Sequence, residues 1–313
     1  MRRNLWAAPA RVKHARAAVA GCILAVACGG APQAPRRIDP YGERVSACID
    51  VPRPRSDTAQ GHMIAVAGSP AVQGSTEQER QQARIDYGPG ADPRLFQDEA
   101  KVRRAYVHGF RMDRSPVTNE QYAEFVAACG VVPPDAEALG PARYDALLQR
   151  FGGAFTYAQI QPYLWGPDGP PRGQERHPMV LVSHDEAGLF CAWRGARLPT
   201  AQEWERAARG YDGRIYPWGD RYDPFRVNTA VRGEGGTLPV GSLPQGNTEE
   251  GFTDMGGHVF EWTDTTAPGG AGQRVAKGNG WAGRGGYGRG AAWVARHDEQ
   301  KDVTLGFRCA ADL

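Results

Sequence analysis

The sequence lacks an excess of charge of either sign. Its 37 lysine and arginine residues are nearly balanced by 35 aspartate and glutamate residues, which leaves a formal net charge of +2. A domain that binds nucleic acid through the phosphate backbone usually carries a clear positive imbalance. We therefore expect no nucleic-acid partner.

The N-terminus lacks an apolar run of membrane-spanning length. The apolar run from Ala17 to Ala27 follows a basic segment, a pattern typical of a signal peptide. The stretch "LAVAC", which ends at Cys28, resembles a bacterial lipobox, with Ala25 at the position where leucine is preferred. We predict a signal peptide over residues 1–28, lipidation of Cys28, and export to the bacterial cell envelope on a lipid anchor. The alternative is ordinary signal cleavage and release of a soluble exported protein.

Cysteine is scarce, with six residues in the chain. Cys22 would leave with the signal peptide and Cys28 would carry the lipid. An even number then remains in a protein predicted to be exported, where disulfides are stable. The four are Cys48, Cys129, Cys191 and Cys309. Buried free thiols are the alternative, and the pairing is open at this point.

Histidine pairs with the spacing of a metal site are also missing, since no H-x-x-x-H or H-x-H pattern occurs. A lone histidine more often has a structural hydrogen-bonding role than a role as a metal ligand. His297, which Asp298 and Glu299 follow, is the best remaining candidate for chemistry, and His258 is the next.

Glycine (41 residues) and proline (24 residues) are both in excess, which predicts many loops and few helices. Residues 29–61 are rich in proline, glycine and charge, and we interpret them as a tether. Residues 62–313 would form the folded domain. Within it, residues 62–75 and 103–118 show strand patterns.

Three segments carry the S/T-x-x-E/Q capping box, and each runs to a glycine that favours a helix end. The pairs are Thr118 with Gln121, Ser183 with Glu186, and Thr200 with Glu203. Residues 133–173 look like an insertion, with a further helix near "ARYDALLQRFG".

The segment from Lys277 to Gly290, "KGNGWAGRGGYGRG", holds two matches to G-x-G-x-x-G. That pattern indicates a dinucleotide site only where it follows a strand and opens a helix. The residues that follow, "AAWVARHDEQ", show no clear amphipathic helix. We therefore expect no dinucleotide here. The role of the segment has to be inferred from the rest of the chain.

Six pieces of the sequence together resemble the sulfatase-modifying-factor family, the formylglycine-generating-enzyme domain. They are "SPVTNEQYAEFV", "HPMVLVSHDEAGLFCAWRGARLPTAQEWERAARG", "YPWGD", "VGSLPQGN", "GFTDMGGHVFEWTD" and "LGFRCAADL", in the order of the family and over residues 62–313. The resemblance implies one α+β domain with a variant C-type-lectin-like fold, which is loop-rich with few short helices and strands.

The resemblance also implies structural calcium in "DMGGHVFEW". A hard cation needs oxygen ligands, and the turn offers side-chain oxygens at Asp254 and Glu261 and carbonyl oxygens at Gly257 and Val259. The alternative is a turn with a solvated acidic pair. A second family site would begin at Asn228 and Thr229, but Arg232 lies near the place where an acidic residue is expected.

In the family, the cysteines that correspond to Cys191 and Cys309 form a disulfide. Another family disulfide is missing here, because Ala208 and Trp293 occupy its two positions. Cys48 and Cys129 are then left to each other.

In the oxygen-dependent enzymes of this family, the segment after Lys277 carries two cysteines that bind Cu(I), an ion suited to soft thiolates. On the same register the serine position is Gly280 and the cysteine positions are Gly283 and Gly288, while Arg296 matches a family arginine. Glycine supplies no ligand, base or nucleophile, so copper is not expected.

These observations predict a membrane-tethered module without catalysis that binds an unidentified ligand or protein partner through its glycine-rich face. The alternatives are a formylglycine-generating, sulfatase-maturing oxidoreductase and another oxidative maturation enzyme on the same fold. The missing thiols argue against the first of these two.

Overall fold

The computed structural model of the chain describes residues 63–313. The predictions for the signal peptide, for Cys28, for the tether and for Cys48 lie outside the described residues. Among the residues that are described, no helix is long and apolar enough to cross a membrane.

Nine short strands and six helices are separated by long connections within residues 63–313. The strands are β1 (Met63–Val66), β2 (Ser69–Gln73), β3 (Arg103–Val107), β4 (Phe110–Asp113), β5 (Phe260–Thr266), β6 (Gln273–Gly278), β7 (Trp293–His297), β8 (Leu305–Gly306) and β9 (Ala310–Asp312). The helices are α1 (Glu77–Tyr87), α2 (Asn119–Cys129), α3 (Pro141–Phe151), α4 (Tyr157–Ile160), α5 (His184–Trp193) and α6 (Ala201–Arg209). The α+β, loop-rich fold that the sequence predicts is confirmed.

The strands form three small sheets, with the orders β1-β4-β9, β2-β3 and β7-β6-β5-β8. The strand pattern of residues 103–118 belongs to two strands, because the chain turns between Val107 and Phe110 and each strand pairs in a different sheet. In the four-stranded sheet β8 is parallel to β5, and the other pairs are antiparallel.

All three predicted capping boxes are present, at the starts of α2, α5 and α6. In each, the side chain of the capping residue accepts a hydrogen bond from the third helical N–H, and the Glu or Gln side chain accepts one from the backbone N–H of the capping residue. Two otherwise unpaired donors are thereby satisfied. The same motif opens α1 at Thr76 and α4 at Thr156. These two helix starts were not predicted from the sequence. The predicted helix in the insertion is α3.

The largest part of the core lies between α2, α5 and the C-terminal segment. Its aromatic side chains pack edge to face or stacked, at centroid distances of 5.3–6.4 Å among Tyr122, Phe125, Phe190 and Phe307. Cys191 and Cys309 are buried in this cluster and form a disulfide across 118 residues of sequence. Cys129 is also disulfide-bonded, and the partner predicted for it, Cys48, lies outside the described residues.

Candidate ligand-binding cleft

The glycine-rich segment leaves β6 at Gly278, forms one 3₁₀ turn over Gly285–Gly288, and enters β7 at Trp293. Because β6 and β7 are antiparallel neighbours, the segment joins two strands and opens no α-helix. A dinucleotide site needs a helix N-terminus at this point. The segment therefore has the wrong geometry for that site.

Gly280, Gly283 and Gly288, which the resemblance places at the serine and cysteine positions, are closely packed. A Cβ atom at Gly288 would lie 2.5 Å from the carbonyl oxygen of Gly256, and one at Gly280 would lie 2.7 Å from Cβ of Thr304. At Gly283 a Cβ atom would overlap Oδ1 of Asn279. Real Cβ atoms do not approach backbone or Cβ atoms this closely, so the surroundings of positions 280 and 288 are built for glycine, whereas at position 283 the obstacle is the end of the Asn279 side chain.

The glycine-rich segment is not an open face as a whole. Gly285, Gly286 and Gly288 are buried, and Arg289 is held internally by Glu99, with Nη1 donating to Oε2 at 3.1 Å. Accessible surface appears instead where Gly283 borders a cleft of ~500 Å³.

We call this cavity the Arg296 cleft. Its walls come from the end of α3 with the loop after it, from the start of β5, and from β7 with the loop that follows. The lining side chains include Arg150, Phe151, Phe155, Phe260, Arg296, His297, Asp302 and Thr304. Two sequence candidates, Gly283 and His297, are thus brought to one cavity, whereas Gly280 and Gly288 do not line it.

Arg296 is the cation inside this cleft. Its guanidinium carbon lies 5.3 Å from the centroid of the Phe260 ring, Nη1 donates to the carbonyl of Ala295 at 3.4 Å, and Nε is buried without a partner. Burial lowers the pKa of Arg296, and the charge of Asp302 opposes that change. In the sequence, Arg296 served only to fix the alignment of the glycine-rich segment with the family.

His297 lies at the rim with its two acidic neighbours. Its Nδ1 is 3.1 Å from Oδ1 of Asp298, and its ring stacks on Phe151 at 4.2 Å. Ligand atoms of His297, Asp298 and Glu299 lie within 4.8 Å of one another. Glu299 is also paired with Arg150 at 3.2 Å, which competes with any cation at this cluster.

His258 has a structural role. The N–H of Leu238 donates to its Nε2 at 2.9 Å, and its Nδ1 lies 3.7 Å from Oδ1 of Asp254. Since Nε2 accepts, the ring proton is on Nδ1, which faces the carboxylate. His258 is buried and lies outside the Arg296 cleft.

In the turn that is predicted to bind calcium, protein groups already donate hydrogen bonds to the carboxylate of Asp254. Oδ2 of Asp254 accepts bonds from the N–H of Gly241 at 2.7 Å and the hydroxyl of Thr253 at 2.9 Å. These contacts and the neighbouring imidazole lower the pKa of Asp254 against the effect of burial. The carboxylate is therefore held in its charged form.

Glu261 is fully buried and paired with Arg308. Its Oε2 accepts from Trp204 at 2.8 Å and from Arg308 at 2.6 Å, and its Oε1 accepts from Arg308 at 2.7 Å. A carboxylate has about four acceptor sites, so one site remains on Oε1. Glu261 fits calcium through that single site only.

The second predicted metal position adjoins the first, because a Cβ atom at Gly257 would lie 2.8 Å from the carbonyl oxygen of Asn228. Oδ1 of Asn228 is buried and has no hydrogen-bond partner. An orphaned oxygen of this kind fits a cation or a water molecule. The carbonyl of Thr229 already accepts from Arg232 and Gly233 at 3.0 and 3.3 Å.

Comparison with known proteins agrees with this architecture. Residues 50–313 match the sequence model of the sulfatase-modifying factor enzyme 1-like domain. The chain is 33% identical over 255 residues to "Inactive C-alpha-formylglycine-generating enzyme 2" of Mus musculus, with 68% of this chain and 78% of that protein covered. It is 34% identical over 207 residues to the formylglycine-generating enzyme of Mycobacterium tuberculosis, with coverages of 55% and 69%.

Among solved structures, PvdO from Pseudomonas aeruginosa is similar in fold, with a TM-score of 0.59 and 20% identity over 81% of this chain and 95% of that chain. Fold and site together define a loop-rich α+β domain with glycine at positions 280, 283 and 288. The chain belongs to the sulfatase-modifying factor, or formylglycine-generating enzyme, domain family.

Proposed function

We propose that this protein is a ligand-binding member of the family without formylglycine-generating activity, held at the bacterial cell envelope by a lipid on Cys28. The observation that carries the first part is glycine at positions 283 and 288, which supplies no thiolate, base or nucleophile, and at position 288 a Cβ atom would lie 2.5 Å from the carbonyl oxygen of Gly256. The similarity to proteins named inactive formylglycine-generating enzymes supports it. An oxidative activity on the same fold is the alternative outcome of the test below.

The full chain should convert no cysteine to formylglycine in a sulfatase-type peptide supplied with copper and oxygen. Positioning of the reactants contributes about 7–11 kcal/mol in such chemistry only when the catalytic groups are present, and glycine presents none. Mass spectrometry of the peptide gives the measurement. Product above a no-enzyme control would overturn the proposal.

A matched variant carries Gly283→Cys and Gly288→Cys. We expect it to remain inactive and to be less stable by about 1–3 kcal/mol, a typical effect of overpacking, since Gly256 backbone blocks position 288. Copper-dependent turnover in this variant with unchanged stability would show that the packing argument is wrong.

The anchor has a separate test. Cys28→Ala should abolish incorporation of labelled fatty acid and release the protein from the membrane or leave it unprocessed, because the thiol is the attachment atom. Cys22→Ala, six residues earlier in the apolar run, is the matched control and should keep both label and membrane retention. Lipid labelling that survives Cys28→Ala would refute the anchor.

We also propose structural calcium held by Asp254, Oε1 of Glu261, and the carbonyls of Gly257 and Val259. Its role would be to neutralise the charge of Asp254 and to fix the turn; the family resemblance and the remaining acceptor site on Glu261 support it. Removing an ion present at about 100 times its Kd costs about 2.7 kcal/mol, or a fall of about 5–10 °C in Tm for a domain of this size.

Chelation followed by a thermal melt measures this fall, and calcium should restore the Tm where an equal concentration of magnesium does not. Glu261 variants are unsuitable here, because they also break the ion pair with Arg308. An unchanged Tm together with no calcium by elemental analysis would reject the site.

A further inference from the structure

We propose that the Arg296 cleft binds a small organic carboxylate, with the guanidinium of Arg296 as its anchor. This inference rests on the proposed function, since it names the ligand class for a domain proposed to bind rather than to oxidise. It is carried by three features of the cleft: an unpaired cation, an apolar wall and a low net charge.

Arg296 is exceptional among the arginines of residues 63–313. Every other arginine there that is not solvent-exposed has a carboxylate within 4.0 Å, with the following pairs among them: Arg194–Asp113, Arg206–Glu250, Arg209–Glu79, Arg289–Glu99 and Arg308–Glu261. Arg296 has none in this part of the chain. A half-buried cation without a partner is costly, and a bound anion would supply the missing partner.

The donors of Arg296 are also largely unused. A guanidinium carries five N–H donors in a planar fork, and the described contacts are one bond of 3.4 Å to Ala295 and the face of Phe260. The fork matches a carboxylate with two parallel bonds. Burial, which lowers the pKa of Arg296, would strengthen such a pair by reducing competition from water.

One part of the wall offers apolar contacts to the body of a small molecule. The cleft volume of ~500 Å³ falls in the range of small-molecule sites, about 300–1,000 Å³. Phe155, Phe260 and Ala282 line it together with Gly283. A ligand that places its carboxylate on Arg296 would bury its hydrocarbon part against these side chains.

The charges that line the cleft favour a ligand with one negative charge over a ligand with two. Asp302 lines the same cleft as Arg296, with Oδ1 already accepting bonds from the N–H and hydroxyl of Thr304. The charge of Arg150 at the rim is offset by Glu299. A dianionic phosphate would therefore meet one unpaired cation and the repulsion of Asp302, whereas a monocarboxylate balances Arg296 alone.

Titration of the full chain with benzoate, benzamide and inorganic phosphate, followed by NMR, tests the proposal. Benzamide has nearly the shape of benzoate without its charge. We expect benzoate to bind at least about tenfold more tightly than benzamide or phosphate, the ratio that 1.4 kcal/mol provides. Arg296→Gln should reduce benzoate affinity by about tenfold or more. Arg172→Gln is the matched control with less than about a twofold change, because the Arg172 side chain is 93% exposed and does not line the cleft.

Arg296→Gln also removes a half-buried charge, so a second variant keeps the test independent of folding. Ala282 is exposed and lines the cleft, and Ala282→Trp should fill it and abolish benzoate binding with an unchanged Tm. Equal affinities for benzoate and benzamide, tighter binding of phosphate, or full benzoate affinity in both variants would each overturn the proposal. Turnover of a cysteine peptide would instead overturn the proposed function, and it is measured separately.

Discussion

Replacing Arg308 by alanine should lower the free energy of unfolding by about 3–5 kcal/mol, the effect typical of breaking a buried ion pair. The side chains of Arg308 and Glu261 are both fully buried. Besides Glu261, the guanidinium donates to the carbonyls of Asp113, Arg114 and Thr253 at 2.9–3.2 Å. The substitution leaves the Glu261 charge without its ion-pair partner and removes the Arg308 hydrogen bonds to these carbonyls. Urea denaturation measures the loss.

Arg150→Ala is the matched control, since it breaks an arginine–glutamate pair whose side chains are 64% and 56% exposed. An exposed pair contributes at most about 1 kcal/mol. A destabilisation below about 1 kcal/mol for Arg308→Ala as well would show that the Glu261 pair has no special weight.

Replacing Cys191 and Cys309 together by alanine should lower the free energy of unfolding by about 5 kcal/mol in the loop-entropy model. The bond closes a loop of 118 residues, so its removal restores much conformational freedom to the unfolded chain. Both residues are buried in the main aromatic cluster, and the lost sulfur contacts add to the effect.

Urea denaturation of the oxidised protein and of the double variant gives the difference. The control is to repeat both curves with a reductant present throughout, where the cross-link is lost from the wild type too and the two stabilities should approach each other. A double variant as stable as the oxidised wild type would contradict the prediction.

Local sequence signals predicted the helices well because a capping box is satisfied within four residues. Thr118, Ser183 and Thr200 each cap the helix that their motif indicated. The helices that begin after Thr76 and Thr156 were not predicted, although the same motif is equally visible in the sequence. The division of residues 103–118 into β3 and β4 was not predicted, because the two strands pair in different sheets. The alternation of side chains along one segment does not show with which strand it pairs.

The candidate site was only partly predictable. Gly283 and His297 were singled out from motifs, and the cleft contains both. Phe151 and Phe155 lie at the end of α3 and in the loop after it, and Phe151 contacts His297 of β7, which is far away in the sequence. No local sequence pattern predicts this contact. Arg296 was identified only as the match to a family arginine. That it has no carboxylate partner within residues 63–313 depends on neighbours that only the folded structure places.

The sequence by itself determined the family, the helix starts, the cysteine pair of the core, and the absence of thiols at positions 283 and 288, because these depend on residue identity and short spacing. Only the tertiary structure decided that Glu261 forms an ion pair with Arg308 and that most of the glycine-rich segment is buried. It also placed an open cavity at Arg296. The physical reason is that burial and charge pairing are properties of the whole neighbourhood: a side chain keeps or loses its partner according to segments that only folding brings beside it.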